Sequence, residues 1–329
     1  MPTRRRALLI LAVLAGLAQL SIALALMVGS IAIGPAEVLA ILFGNGHGMA
    51  SDVVRSLRLP RALTGFACGG LLALAGALLQ VLLRNPLADP YVLGISGGAG
   101  IGALLAIVLG LGVAGINGLA FGGAFGAMLL VFGLAHGEGG WTQSRLLLTG
   151  VIVAAGCGAV VTLLLALAPE DRLRGMLFWL MGDLSQSGDP QLVLILLLMV
   201  LLVALPFARE LNLLARGADM AQALGVAVRP LRRGVYLVAS LATAAAVTHA
   251  GAIGFIGLIV PHLVRLAAGN DQRLLLPASV LAGGSLLVVA DTLARTLLAP
   301  QQLPVGVLTA LIGVPVFLFL LSRAAPGRY

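Results

Sequence analysis

The sequence predicts an all-α integral membrane protein with about ten transmembrane helices. Of its 329 residues, 60% are hydrophobic and only 10% are charged, and the mean hydropathy is +1.11. Soluble domains carry about 25% charged residues, and one membrane span needs roughly 20 apolar residues. The chain therefore has room for about ten spans, which we interpret as a single transmembrane domain over residues 1–329.

Ten apolar runs, separated by short polar or Pro/Gly-rich segments, predict the spans in order. They cover residues 7–32, 62–83, 91–112, 115–135, 146–168, 190–207, 234–250, 252–268, 274–298 and 303–322. Two shorter helices are expected between them. Residues 35–43 predict a surface helix with proline in its first turn, and residues 175–184 predict an interfacial or re-entrant helix.

The distribution of arginine predicts the orientation of the bundle. Arg4–Arg6 precede the first run, and ten spans return the chain to the side from which it started. Basic residues favour cytoplasmic loops, so both termini are expected in the cytoplasm. The remaining cytoplasmic segments are then 84–90, 137–145, 208–233, 265–273 and 323–329. The arginines outside this pattern are Arg55, Arg58, Arg61, Arg172, Arg174 and Arg295.

The composition excludes several functions. The chain contains no lysine, so it has no phosphate-binding P-loop, no Schiff-base lysine and no Ser-Lys dyad. Any ATP that drives it must be hydrolysed by another chain. The net charge of +8 is explained by membrane orientation rather than by nucleic acid. No metal site or cofactor is expected, because no second histidine lies at ligand spacing from His262.

Glycine recurs at every fourth residue in the fourth predicted span, at Gly118, Gly122 and Gly126. Small residues at this spacing let helices approach closely. We expect this stripe to pack within the chain rather than to drive dimerisation.

The segment 208–233 is the longest predicted cytoplasmic stretch, and it contains two short helical patterns on either side of Gly217. The second pattern ends at Gly225, which is a suitable helix C-cap. Leu213, Leu214, Met220 and Leu224 are expected to face the cytoplasm beside Arg216 and Asp219. The segment thus predicts a docking surface for a protein, with a helix pair lying on the membrane as the alternative.

A basic cluster is expected on the opposite side, where Arg58 and Arg61 precede the second span and Arg295 ends the ninth. Such a rim can bind acidic side chains of a soluble partner. The alternatives are contact with lipid phosphates and an internal pair between Arg295 and Asp291 at i, i+4 spacing.

Two other functions have weaker sequence support. Residues 94–97 match the Gly-x-Ser-Gly pattern of intramembrane serine proteases, which would need a histidine such as His249. In a chain with 44 glycines such a tetrapeptide arises by chance. An ion-coupled secondary transporter needs intramembrane acids or histidines, for which Asp291 and His249 are the clear candidates.

Several longer motifs resemble those of the FecCD-like permeases, the membrane subunits of ABC importers for vitamin B12, haem and ferric siderophores. The resemblance rests on Arg58-Leu59-Pro60-Arg61, Leu74-Ala75-Gly76-Ala77, Gln80, Arg84-Asn85-Pro86-Leu87-Ala88-Asp89-Pro90, Leu93-Gly94, Gly98-Ala99, residues 251–262 with Arg265, and Leu303-Pro304-Val305-Gly306. It covers essentially the whole chain.

This resemblance implies a type II ABC importer permease fold in the bacterial inner membrane, surrounded by lipid. It implies a homodimer with two cytoplasmic ATPase subunits and a periplasmic substrate-binding protein. The cargo is expected to be a metal chelate, with cobalamin or haem favoured and a ferric siderophore as the alternative. The permease itself is then not an enzyme.

The resemblance also assigns roles to individual residues. Arg58, Arg61 and Arg295 match positions that receive acidic residues of the binding protein, and Asn85, Leu87 and Gln143 fall near the cytoplasmic gate. The ATPase-coupling residues are Leu211, Asn212, Leu213, Leu214, Arg216, Gly217, Asp219, Met220, Leu224 and Gly225.

Overall fold

The structure is a computed structural model that describes residues 4–135, 142–185 and 189–323. Within these ranges the chain forms helices and connecting turns, with no strand. Most of the predicted loop 137–145 and the tail 324–329 lie outside the described residues.

The helices follow one another in the order below. They are α1 (Arg4–Met27), α2 (Pro35–Leu42), α3 (Met49–Leu82), α4 (Ile95–Val108), α5 (Val113–Leu134), α6 (Gln143–Ala166), α7 (Glu170–Leu180), α8 (Gln191–Ala204), α9 (Ala208–Arg216), α10 (Ala218–Ala223), α11 (Val228–Ala250), α12 (Ile256–Ala268), α13 (Gln272–Thr296) and α14 (Val305–Arg323).

Each of the ten predicted spans corresponds to one of these helices, and the all-α fold class is confirmed. Among the described residues, six helical runs are long and apolar enough to cross a membrane: α1, α3, α5, α6, α13 and the run Gln191–Arg216 that joins α8 to α9. Three shorter apolar helices, α4, α12 and α14, account for three more. The tenth, α11, carries three arginines in its first two turns.

Helix α3 forms the centre of the bundle. In its most apolar window 89% of the residues are buried, against 11% in α1 and α6. Glycines let its neighbours approach closely. A Cβ atom on Gly69 would collide with the backbone of Gly283 in α13, and one on Gly76 would collide with Gly257 in α12. The core therefore lies around α3, while α1 and α6 lie at the periphery.

The glycine stripe of α5 faces outward, which contradicts the predicted packing within the chain. A Cβ atom on Gly118, Gly122 or Gly126 would meet no other atom within 4 Å. The close contact is made instead by Gly123, whose added Cβ would collide with the backbone of Gly98 in α4. The spacing identified a row of small residues on α5, but the glycine that packs against α4 is Gly123, one residue after Gly122 in that row.

The two short helices outside the spans are both present. Helix α2 begins at Pro35 and buries Val38 and Ile41, as predicted for residues 35–43. Helix α7 begins at Glu170, five residues before the predicted start, because Glu170 and Asp171 after Pro169 are favourable in a first helical turn.

The chain between α11 and α12 is irregular from Gly251 to Phe255, and both of these residues have positive φ angles of +68° and +70°. Two neighbouring segments satisfy the freed backbone groups. The N–H of Ile253 donates to the Tyr91 hydroxyl at 2.7 Å, and the N–H of Asp183 donates to the Ala250 carbonyl at 2.9 Å. The seventh and eighth predicted spans are thus two helices joined by a braced break.

Candidate functional site

The helix pair α9–α10, with the glycine that follows it, forms what we call the jointed face (residues 208–225). Gly217 at the joint has φ +135°, in a region that side chains disfavour. Its N–H donates to the Leu214 carbonyl at 3.1 Å, and its carbonyl accepts from the N–H of Ala221 at 3.0 Å. Helix α10 ends at Ala223 with Leu224 as its C-cap, and Gly225 follows with φ +85°. The predicted joint is present, and the predicted C-cap is displaced by one residue, from Gly225 to Leu224.

The apolar residues of this face divide into two groups. Met220 is 52% exposed and Leu224 is 61% exposed, whereas Leu211 and Leu214 are each 1% exposed. The prediction that Leu214 faces the cytoplasm is wrong, because α9 is amphipathic and turns its leucines toward the bundle. Leu213 is partly buried. The exposed apolar surface therefore lies on α10 and its C-terminal end, beside the exposed Arg216 and Asp219.

Asn212 fastens α9 to the start of α13. Its amide nitrogen donates to the Asp271 carboxylate at 2.9 Å, and its amide oxygen accepts from the N–H of Gln272 at 2.9 Å. Asp271 is also the N-cap of α13, accepting from the N–H of Arg273. Burial by itself would raise the pKa of Asp271, but the hydrogen bonds from Asn212 and Arg273 lower it below its usual value. The carboxylate is therefore ionised at neutral pH.

The three predicted gate residues lie around the junction between α3 and α6. The Asn85 side chain accepts from the N–H of Leu87 at 2.9 Å, which fixes the turn. Gln143, the first residue of α6, donates to the Leu82 carbonyl at 3.1 Å. It also accepts from the Arg84 guanidinium at 3.2 Å. The structure thus links the start of α6 directly to the turn that carries Leu87.

At the other end of α13 lies the arginine cluster, which comprises Arg58, Arg61 and Arg295 with Asp291. Arg61 forms a bidentate pair with Asp291 at 2.7 and 2.9 Å. The Arg295 guanidinium lies 3.2 Å from the same carboxylate. The three side chains are 13%, 4% and 12% exposed, in the order Arg61, Asp291 and Arg295. The internal Arg295–Asp291 pair is therefore present.

Arg58 is an interior residue, which corrects the expectation that it stands on the rim. It is 5% exposed and donates to the carbonyls of Leu26 at 2.7 Å and Ile31 at 2.6 Å. These carbonyls lie at and just beyond the end of α1, where backbone acceptors have no partner within the helix. A Cβ atom on Gly29 would collide with the same guanidinium. Arg58 therefore fastens α1 to α3.

The charges of this cluster do not balance. The ion pairs of Arg61 and Arg295 share the single carboxylate of Asp291, while the third guanidinium, that of Arg58, donates to backbone carbonyls. An excess of positive charge in a partly buried setting attracts acidic groups. The cluster is therefore a candidate contact for acidic side chains.

A buried polar connection in the middle of the bundle was not predicted as a site. The Gln80 side chain is 3% exposed and donates to the Leu258 carbonyl of α12 at 3.1 Å. Its oxygen accepts from Arg265 at 2.8 Å. A glutamine within the apolar run 62–83 is the signal that could have identified this link between α3 and α12.

Both candidates for ion coupling, Asp291 and His249, have polar partners within the chain. Asp291 is paired with two arginines, and the Nδ1 atom of His249 lies 2.9 Å from the carbonyl of Ala245, one turn earlier in α11. In the described ranges no group of three His, Cys, Asp or Glu side chains could hold a metal ion.

In the described ranges ten helices correspond to the predicted spans, with the jointed face at one end of α13 and the arginine cluster at the other, and this arrangement is that of a polytopic membrane protein. The family model for the FecCD transport family matches residues 14–323. The chain therefore belongs to the FecCD transport family, and it is a transporter subunit rather than an enzyme.

Individual relatives cover most of the chain. It is 46% identical to the cobalamin import system permease protein BtuC of Halobacterium salinarum over 275 residues, covering 83% of this chain and 74% of that one. It is 42% identical to the hemin transport system permease protein HmuU of Yersinia pestis over 281 residues, covering 83% and 84%. A solved inward-facing ABC transporter of the metal-chelate type matches with a TM-score of 0.83 and 31% identity, covering 97% of this chain and 100% of that one.

Proposed function

We propose that the chain is the permease subunit of a binding-protein-dependent ABC importer that carries a metal chelate across the bacterial inner membrane. Two copies form a homodimer around the pathway, and both termini of each copy lie in the cytoplasm. The single observation that carries the proposal is the FecCD match over residues 14–323. Cobalamin or haem is favoured because relatives of 46% and 42% identity are named for these two chelates.

The jointed face is the docking surface for a cytoplasmic ATPase. The chain has no lysine and hence no P-loop of its own, so ATP hydrolysis must take place on a partner. Met220 and Leu224 offer exposed apolar contacts at the end of a rigidly fastened helix pair. Apolar residues with charged neighbours are typical of a protein interface. We assign ATPase docking to residues 211–225. The buried Leu211 and Leu214 pack against the bundle and hold α9 in place.

The arginine cluster is the outer docking site for the substrate-binding protein. Arg61 and Arg295 share one carboxylate, so an acidic side chain of a partner would complete their coordination by charge-assisted hydrogen bonds. Arg61 already donates to Gln302 on its exposed side at 3.2 Å. Arg58 does not contact the partner directly, because its guanidinium donates to backbone carbonyls. Its positive charge adds to the electrostatic attraction of the cluster.

The turn at Asn85 and Leu87 is the cytoplasmic gate. Leu87 is partly exposed on a turn that the Asn85 side chain holds rigid. Helix α6 begins beside it at Gln143 and buries little of its surface within its own subunit. A second subunit supplies the missing cover, and a Leu87 from each copy closes the pathway by packing and by excluding water.

Uptake into proteoliposomes tests the substrate. The permease is reconstituted with its ATPase and binding protein, and radiolabelled cyanocobalamin, hemin and a ferric siderophore are supplied separately. The proposal predicts ATP-dependent accumulation of cyanocobalamin or hemin. Accumulation of the siderophore alone would overturn the preferred substrate, and accumulation of none of the three would contradict import of a metal chelate.

A further inference from the structure

We infer that α13 is a coupling rod between the two docking faces, and that the Asn212–Asp271 clasp is the contact through which α9 moves it. This inference rests on the proposed function, because it assigns the ATPase to the jointed face and the binding protein to the arginine cluster. It assigns positioning roles to Asp271 and Asp291, which touch neither partner directly.

The clasp joins α9 to α13 more firmly than a single contact would. Asn212 uses both atoms of its amide, donating to Asp271 and accepting from the N–H of Gln272, each at 2.9 Å. The acceptor is an ionised, partly buried carboxylate, and hydrogen bonds to charged groups are stronger than neutral ones. A displacement of α9 therefore pulls on the first residues of α13.

The helix itself is long enough to connect the two faces. Its 25 residues span about 37 Å at the α-helical rise. Gly283 lies against the backbone of Gly69 in α3, and Gly284 lies against the ring and the carbonyl of Phe66, so α13 packs closely against α3 along this stretch. Close glycine contacts permit a helix to slide or tilt as one body while it remains in contact with its neighbour.

The far end of the rod reaches the arginine cluster. Asp291, 20 residues beyond Asp271, accepts from Arg61 of α3 at 2.7 Å. Arg295 follows one turn later and lies 3.2 Å from the same carboxylate. A shift of α13 relative to α3 changes the distance between Asp291 and Arg61, and so alters how much of the arginine charge is free to bind an acidic partner.

Coupling of this kind is reciprocal. If movement of α9 changes the affinity of the arginine cluster for its partner, then binding of that partner must shift the position of α9 by the same free energy. Reciprocity applies to the binding free energies, so docking of the binding protein must bias the position of α9, and we expect this bias to stimulate the ATPase. Loss of the clasp should reduce this stimulation and leave each partner able to bind.

The test uses the complete complex of permease, ATPase and binding protein in nanodiscs. Asp271→Ser is the main variant, because serine can still cap α13 but is too short to hold Asn212. Asn212→Leu and the double variant complete a cycle for the stimulation alone, because Asn212 also belongs to the residues assigned to ATPase docking. Ser285→Ala is the matched control, because that hydroxyl bonds only to the Leu281 carbonyl within α13. The readouts are basal ATP hydrolysis, its stimulation by the binding protein, and the affinity of each partner.

We expect Asp271→Ser to reduce the stimulation by about fivefold or more, at the lower end of measured couplings. Basal hydrolysis and both affinities measured separately should stay near those of the unmodified complex, and Ser285→Ala should behave normally. The double variant should be no worse than the stronger single variant, because each substitution already breaks the Asn212–Asp271 hydrogen bond. Full stimulation in Asp271→Ser, or equal loss in Ser285→Ala, would overturn the role of the clasp.

The unmodified complex separates this inference from the proposed function. If it binds no ATPase and shows no stimulation, the proposed function is wrong. If it is stimulated normally and the clasp variants are stimulated equally well, then only the coupling role of α13 is wrong.

Discussion

The jointed face leaves Met220 and Leu224 more than half exposed, whereas the arginine cluster buries its charged side chains almost completely. Both regions were predicted as docking surfaces from residue type. On the jointed face the exposed residues are free to meet a partner. In the arginine cluster, much of the charge already has partners within the chain, because Arg58 binds carbonyls after α1 and Arg61 binds Asp291.

This difference shows that residue type does not separate a docking residue from a structural one in a membrane protein. A buried arginine must find acceptors, and the unpaired carbonyls at a helix end supply them. An exposed methionine or leucine on a polar face has no such internal partner. The same substitution therefore has different consequences on the two faces.

The largest expected effect is the loss of folding stability in Arg58→Glu. The substitution places a carboxylate among the carbonyls of Leu26, Met27 and Ile31, and removing one partner of a buried charged contact costs roughly 3–5 kcal/mol. We expect a marked fall in the thermal unfolding temperature of the detergent-solubilised permease. Ser56→Glu, which places the same carboxylate at an exposed position in the same helix, is the control and should unfold near the normal temperature. Equal stability of the two variants would contradict the structural role of Arg58.

Gly217→Pro should uncouple ATP hydrolysis from transport. Proline holds φ near −65° and lacks an N–H, whereas Gly217 has φ +135° and donates to Leu214. The local cost is about 3 kcal/mol or more, confined to the joint between α9 and α10. We expect strong loss of ATP-driven uptake with the permease still inserted, measured in proteoliposomes. Gly234→Ala, at an unstrained glycine of α11, serves as the control, and normal uptake by Gly217→Pro would show that the joint plays no part.

Met220→Ser combined with Leu224→Ser should weaken ATPase docking by about tenfold or more, because truncated contacts at an interface centre cost 1–2 kcal/mol each. Both side chains are exposed, so the thermal unfolding temperature should stay unchanged. Leu214→Ala provides the contrast, because truncating a buried leucine to alanine lowers the free energy of unfolding by about 2–5 kcal/mol. Affinity is measured by titrating ATPase onto nanodiscs. Unchanged affinity in the double serine variant would place the ATPase elsewhere.

Leu87→Ala should cause a slow leak of substrate without ATP, the smallest of these effects. The shorter side chain removes packing at the proposed constriction, while the Asn85 hydrogen bond to the backbone of residue 87 is retained. Asn85→Ala should cause a smaller leak, unless the Asn85 amides of the two subunits hydrogen-bond to each other across the axis. Efflux from preloaded proteoliposomes measures both. Cysteine at position 87, with Cys68 and Cys157 replaced, should cross-link between subunits in some nucleotide state, and no cross-link in any state would exclude a gate on the axis.

Hydrophobic periodicity was sufficient to predict the architecture. Each of the ten apolar runs corresponds to a helix, and proline and glycine positions identified α2 and the joint at Gly217. These features depend on local sequence, because spans follow from length and apolarity and helix ends follow from capping residues.

The features that depend on tertiary contact could not be predicted in this way. No local pattern shows that Arg58 lies beside the end of α1, or that Gly123 rather than Gly122 meets α4. The clasp between Asn212 and Asp271 joins residues 59 positions apart. Asp271 caps α13 locally, but its contact with Asn212 depends on how α9 folds back against α13.

The energy source of transport distinguishes an ABC importer permease from an ion-coupled transporter. Chelate uptake is measured in proteoliposomes that contain permease, ATPase and binding protein, with ATP and no ion gradient, or with a proton or sodium gradient and no ATP. We expect uptake only with ATP, and we expect inactivation of the ATPase by mutation to abolish it. Uptake driven by an ion gradient with the inactive ATPase would contradict it, and would identify the chain as an ion-coupled transporter.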